Sequence, residues 1–165
     1  MSAKLEQATA EIKKYRPEII DRLMKYAATD MLLFWGTDKN LIQRQEKEWG
    51  PLLRWASAEF GEKFEKTHGL EVSEKNQKSG YRLRAFLESL SDRELAGYYL
   101  AALNMRSVLL AAALVKGRIN AEQAYKAAYL EQLFQEESWG KDEESVAKLT
   151  ERRQELSEVE AFLKK

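Results

Sequence analysis

The chain of 165 residues has no cysteine, a single histidine, two prolines and no net charge. Without cysteine it has no disulfide framework, no thiolate zinc site and no iron–sulfur cluster, which fits a reducing compartment. It needs no such staple, because a chain of this length buries about 70% of its unfolded surface. Charge is balanced, with 27 Lys plus Arg against 27 Asp plus Glu. A general nucleic-acid binder carries a basic excess, so no nucleic-acid partner is expected. No apolar run approaches the ~18–20 residues of a membrane span, so no membrane insertion is expected. No GxGxxG or GxxxxGK[ST] pattern occurs, which removes the usual dinucleotide and P-loop sites.

What the chain does have is helix formers. Ala (20), Leu (22), Glu (22), Lys (16) and Arg (11) supply 91 of its 165 residues, whereas Val, Ile and Thr supply five each. This composition predicts an all-α fold. Apolar positions at Leu5, Ile12, Tyr15, Ile19, Leu23, Tyr26 and Leu33 form one stripe of a first long helix, with Pro17 either kinking it or opening a second. Gly36 stops that run and Asp38 can cap the next helix, which Gly50-Pro51 interrupts and Gly61 ends. Residues 62–80 read as a long polar loop with a short extended piece at Lys63–Thr67. After a helix at Tyr81–Ser89, Ser91 and Glu94 form a capping box that opens the most apolar stretch of the chain. One central helix from Leu95 to Leu114 is therefore expected, stopped at Lys116-Gly117. Asn120 and Gln123 cap a helix to about Ser138, Gly140 ends it, and Asp142 caps a last helix to Lys164. The expectation is a single helical domain over residues 1–165, with about five to seven helices around Leu95–Leu114.

Candidate chemistry is sparse. Glu65 and His68 have the Glu-x-x-His spacing of carboxylate-bridged di-iron bundles, but such a site needs a second pair, which one histidine cannot provide. No catalytic residues, metal, cofactor or small-molecule substrate are expected. Between Leu130 and Ser145, Glu131, Glu136, Glu137, Asp142, Glu143 and Glu144 face only Lys141, a local charge of −5 around Trp139. That cluster reads equally as a docking surface for a basic patch and as negative charge at a helix N-terminus. Lys75, Lys78, Arg82 and Arg84 read as a solvated basic run rather than a phosphate site. At helical spacing Trp49 and Trp55 read as core, whereas Trp139 is open to either a core or a binding role. A generic helical adaptor, or a self-associating bundle with a charged last helix, remains an alternative.

The motif order adds more than any single residue. Tyr26-Ala27-Ala28-Thr29-Asp30-Met31-Leu32 comes first, then Gln45, Trp49, Pro51-Leu52-Leu53 and Trp55-Ala56. Ser107 to Leu114, Gly117-Arg118-Ile119, Ala121-Glu122-Gln123-Ala124 and Glu137-Ser138-Trp139-Gly140-Lys141-Asp142-Glu143-Glu144 follow. In this order, from about Ile12 to Glu144, the chain resembles the helical C-terminal domain of the ATP synthase alpha-subunit assembly chaperones (the Atp-twelve family), which occur in mitochondria and alphaproteobacteria. The resemblance implies a non-enzymatic chaperone whose partner is the unassembled alpha subunit. It also implies that the family's β-rich N-terminal domain is absent here. Departures include His68 at a usually acidic position, Phe134 in place of a Trp, and Met105-Arg106 where a small residue usually precedes Ser107. Family function is tied to an acidic residue in the C-terminal part, for which Glu131, Glu137 and Glu143 are candidates. Glu131, Glu137, Trp139, Asp142 and Glu143 are therefore the expected partner-binding residues. Tyr26, Asp30, Gln45, Trp49, Pro51, Trp55, Ser107, Gly117 and Gly140 are expected to be structural members of the motif. The lack of an Arg/Ser-rich leader points to a bacterial cytoplasm, or to the mitochondrial matrix if the source is eukaryotic.

Overall fold

The computed structural model describes residues 3–68 and 81–164. Among these residues lie nine α-helices, two 3-10 turns and one pair of two-residue strands. Helix α1 (Ala3–Tyr26) buries Leu5, Ala8, Ile12, Ile19, Ile20 and Leu23 along one side. Pro17 does not end it. A proline inside a helix crowds the preceding turn, and the distortion is taken up at Tyr15, whose φ and ψ are −127° and 30°. The neighbouring Arg16 donates to the carbonyls of Glu88 (3.1 Å) and Leu90 (2.5 Å) and to Asp92 Oδ1 (2.9 Å). It thereby satisfies acceptors that helix α4 (Tyr81–Ser89) leaves open at its C-terminal end.

The 3-10 turn Met31–Leu33 leads into strand β1 (Phe34–Trp35), which pairs in parallel with β2 (Thr67–His68). The extended segment thus lies at the end of the expected Lys63–Thr67 piece. Helices α2 (Lys39–Glu48) and α3 (Gly50–Phe60) meet at Gly50-Pro51, with Asp38 capping α2 and Pro51 in the first turn of α3. Of the basic run noted in the sequence, Lys75 and Lys78 lie outside the described residues, and Arg84 donates to Asp21 (2.6 Å) and Glu88 (3.1 Å).

The expectation of one central helix from Leu95 to Leu114 is corrected. Helix α5 (Asp92–Met105) ends where Arg106 adopts a left-handed conformation, φ 54° and ψ 36°, and α6 (Val108–Val115) starts afresh with Ser107 as its N-cap. The break has a chemical cause. Ser107 Oγ accepts from the Leu110 N–H (2.9 Å), and the buried Asp30 carboxylate accepts from the Leu109 N–H (2.9 Å). Those acceptors stabilise a new helix start inside an otherwise apolar run. The expected helix from Asn120 to Ser138 is likewise two. Helix α7 (Ala121–Ala128) stops at Tyr129, and α8 (Leu130–Trp139) follows. These breaks raise the helix count above the expected five to seven.

Helix α9 (Glu143–Leu163) returns along α5 and α7, burying Leu149, Leu156, Val159 and Phe162. Its close crossing with α5 is made possible by Gly97, where an added Cβ would lie 2.8 Å from Leu163 Cδ2. The core lies along α5 and α6, most of whose residues are buried, flanked by α1, α3, α7 and α9. Among the described residues, no helix is long and apolar enough to cross a membrane.

Candidate functional site

The acidic C-terminal corner is made by α8, the turn at Gly140 and the start of α9. Gly140 has φ 90°, a conformation side-chain-bearing residues rarely adopt, and it turns the chain out of α8. Only Leu130 of α8 is fully buried. The helix is fixed to α2 by polar contacts instead. Glu137 takes a two-pronged ion pair from Arg44, with Nη1 at 2.9 Å from Oε1 and Nη2 on Oε2. That hydrogen-bonded pairing holds the Glu137 carboxyl below its ordinary range. The same guanidinium lies 5.2 Å from the Phe134 ring centroid. Glu131 accepts from Gln45 Nε2 at 3.3 Å. The remaining acids divide by role. Asp142 caps α9, accepting from the Ser145 N–H (3.3 Å) and hydroxyl (3.2 Å). Glu143 and Glu144 are exposed in the first turn of α9, where the helix terminus favours negative charge. Glu136 has one carboxylate oxygen buried without a hydrogen-bond partner among the described residues.

Trp139 is 88% exposed at the end of α8. The other tryptophans sit differently. Trp49 is buried and donates its indole N–H to Ala127 O (2.8 Å), Trp35 is buried edge-on against it at 6.1 Å, and Trp55 packs half-buried on the core. His68 Nδ1 lies 2.9 Å from Gly36 O with its ring edge-on to Trp35. No group of three or more His, Asp or Glu side chains converges on a metal-sized space among the described residues.

A second polar constellation is internal. Asp30 is 1% exposed. Its carboxylate accepts from the Leu32 N–H (2.9 Å), the Ser107 hydroxyl (2.6 Å) and the Leu109 N–H (2.9 Å). Burial pushes this carboxyl up to about 6, although the hydrogen bonds from Ser107, Leu109 and Leu32 favour the charged form. Gln45, also buried, accepts from the Gly36 N–H (3.1 Å). These two side chains tie the segment between α1 and α2 to α6 and α8. Tyr26 is partly exposed at the end of α1, and Gly117 has φ 76° after α6.

Comparison with known proteins finds similarity to ATP12 chaperones. A family model described as ATP12 chaperone protein matches residues 2–57. The mitochondrial protein atp12 of Schizosaccharomyces pombe is 24% identical over 144 residues, taking in 82% of this chain and 50% of its own. The crystal structure of Atp12 from Paracoccus denitrificans superposes with a TM-score of 0.88 at 27% identity, over 94% of this chain and 67% of that one. The fold is that of Atp12. An Agrobacterium tumefaciens protein shares the ATP12 fold, with a TM-score of 0.84 at 23% identity over 94% of this chain and 59% of that one. The chain spans about half the length of the curated relative it matches. Sequence reading alone misses what Arg44 and Gln45 do in this ATP12 fold. They contact acids 93 and 86 residues away, a distance no local periodicity reports.

Proposed function

We propose that this chain is an ATP12-type assembly chaperone for the ATP synthase catalytic head, which holds the unassembled alpha subunit and covers the surface that will pack on beta. A subunit of an alternating ring exposes apolar interface before its neighbour arrives, and such surface aggregates. In this reading the contact surface is the corner built by Glu131, Glu137, Trp139, Asp142 and Glu143. The single observation that carries it is Trp139. A large aromatic side chain 88% exposed beside a concentrated acidic charge has the form of a binding anchor with charge to orient a partner. The compartment is the one in which the head is assembled, a bacterial cytoplasm or a mitochondrial matrix. The test is size-exclusion co-elution with purified ATP synthase alpha subunit, using beta as the control. A complex with alpha alone is expected. Co-elution with neither subunit, or equally with both, overturns the reading.

A further inference from the structure

Helix α8 has a second face. Arg44 and α2 hold the side carrying Leu133 and Glu137, whereas Gln132, Gln135, Glu136 and Trp139, spaced three and four apart, face a groove of about 680 Å³ toward α9. Its floor is rigid. The Tyr129 hydroxyl donates to Asn104 O (2.7 Å), and Asn104 Nδ2 donates to Arg152 O (3.2 Å) and Glu155 Oε1 (3.1 Å). Arg106 stands at one end, its backbone held left-handed and its carbonyl accepting from the Met31 N–H at 3.1 Å. Arg106 and Arg152 line the same groove as Tyr129.

Three cations line this groove: Arg106, Lys148 and Arg152. None of the three side chains has an ion pair or hydrogen bond with the described residues. Beside them lie an apolar strip of Leu103 and Leu149 and the exposed Trp139 indole at the lip. Of the two acids in the lining, Asp142 is occupied as the cap of α9, and Glu136 presents a buried oxygen free to accept from a donor. Both walls are helices, whose backbone groups are already bonded, so the groove offers no strand edge. A segment lying in it must satisfy its own backbone, which a helix does.

We propose that the groove between α8 and α9 docks an acidic amphipathic helix of the client protein, with its carboxylates among Arg106, Lys148 and Arg152 and a large apolar side chain against Leu103, Leu149 and Trp139. The inference rests on the assembly-chaperone reading for the existence of the client, and it adds a cationic groove to the acidic corner. The experiment measures binding of purified ATP synthase alpha subunit to the wild-type chain and to three variants. These are Lys148→Glu/Arg152→Glu, Trp139→Ala, and Glu143→Lys at the acidic corner outside the groove. Melting temperature and helicity are recorded for each. Charge reversal in the groove is expected to weaken binding about tenfold or more, and Trp139→Ala to weaken it similarly, both with native melting. A smaller loss in Lys148→Glu/Arg152→Glu overturns the groove, and if that variant unfolds, Lys148→Ala/Arg152→Ala decides in its place. Loss with Glu143→Lys and Trp139→Ala alongside native affinity in Lys148→Glu/Arg152→Glu would sink the groove and leave the chaperone reading standing. No binding by the wild-type chain sinks both.

Discussion

At the scale of single residues, Asp30 carries the most consequence. It is an acid in a chain interior where few acids are tolerated, and it remains because three donors need it. Replacing it by alanine leaves the Leu32 and Leu109 N–H groups and the Ser107 hydroxyl buried without that acceptor. A loss of about 3 kcal/mol or more in urea-unfolding free energy is expected for Asp30→Ala at pH 7. The pH dependence has a definite sign. The carboxyl moves from 3.8 to about 6 on folding, so the folded state holds the proton more tightly. The proton-linked part of its contribution is therefore full below pH 3.8 and is lost as pH rises through about 6. The loss is on the order of 3 kcal/mol. Asp30→Asn does not titrate. The stability of the wild type minus that of Asp30→Asn should accordingly fall between pH 4 and pH 7, and urea titrations at intervals across that range check it. Trp139 makes the opposite case. At 88% exposed it adds little to the core, so Trp139→Ala is expected to shift the unfolding free energy by less than about 0.5 kcal/mol.

Among the elements, α8 is weakly anchored by packing, with Leu130 buried and Leu133 half-buried on the core. Its attachment through Arg44–Glu137 and Gln45–Glu131 is polar and partly exposed. Hydrogen exchange should therefore be faster in Leu130–Trp139 than in α5. Glu137→Arg alone is expected to speed it further, whereas the exchanged pair Arg44→Glu/Glu137→Arg should restore protection. Failure of the swap to restore protection would show that the ion pair does not hold α8. The capping signals that define most elements were plain in the sequence. Ser91 with Glu94, Asn120 with Gln123, and Asp142 all sit at the helix starts they were expected to form. The two unexpected breaks were not legible, because each depends on tertiary partners. Ser107 becomes a cap only with Asp30 beside it, and Tyr129 stops α7 where its hydroxyl reaches Asn104. Composition and periodicity see a continuous apolar or amphipathic run at both places.

For the whole molecule, stability centres on α5 and α6, against which α1, α3, α7 and α9 pack. Leu156 on α9 is fully buried, and Leu156→Ala is expected to cost about 2–5 kcal/mol in chemical unfolding, since the last helix has few other large apolar anchors. The all-α class followed from composition, and the run of acids in the candidate site was visible as a charge excess. The division of that run into caps, ion pairs and free carboxylates was not, because it depends on α2 coming to lie beside α8. The groove cations were equally hidden: Arg106 belongs to the break after α5 and Arg152 to α9. The placement of the four tryptophans gives the molecule an optical property. Trp35 and Trp49 are sealed in the interior, Trp55 is half-covered and Trp139 stands in solvent. A collisional quencher added to the free chain will darken mainly the red-shifted emission of one indole, so the native protein carries its own unlabelled fluorescent reporter at the corner where a client would sit.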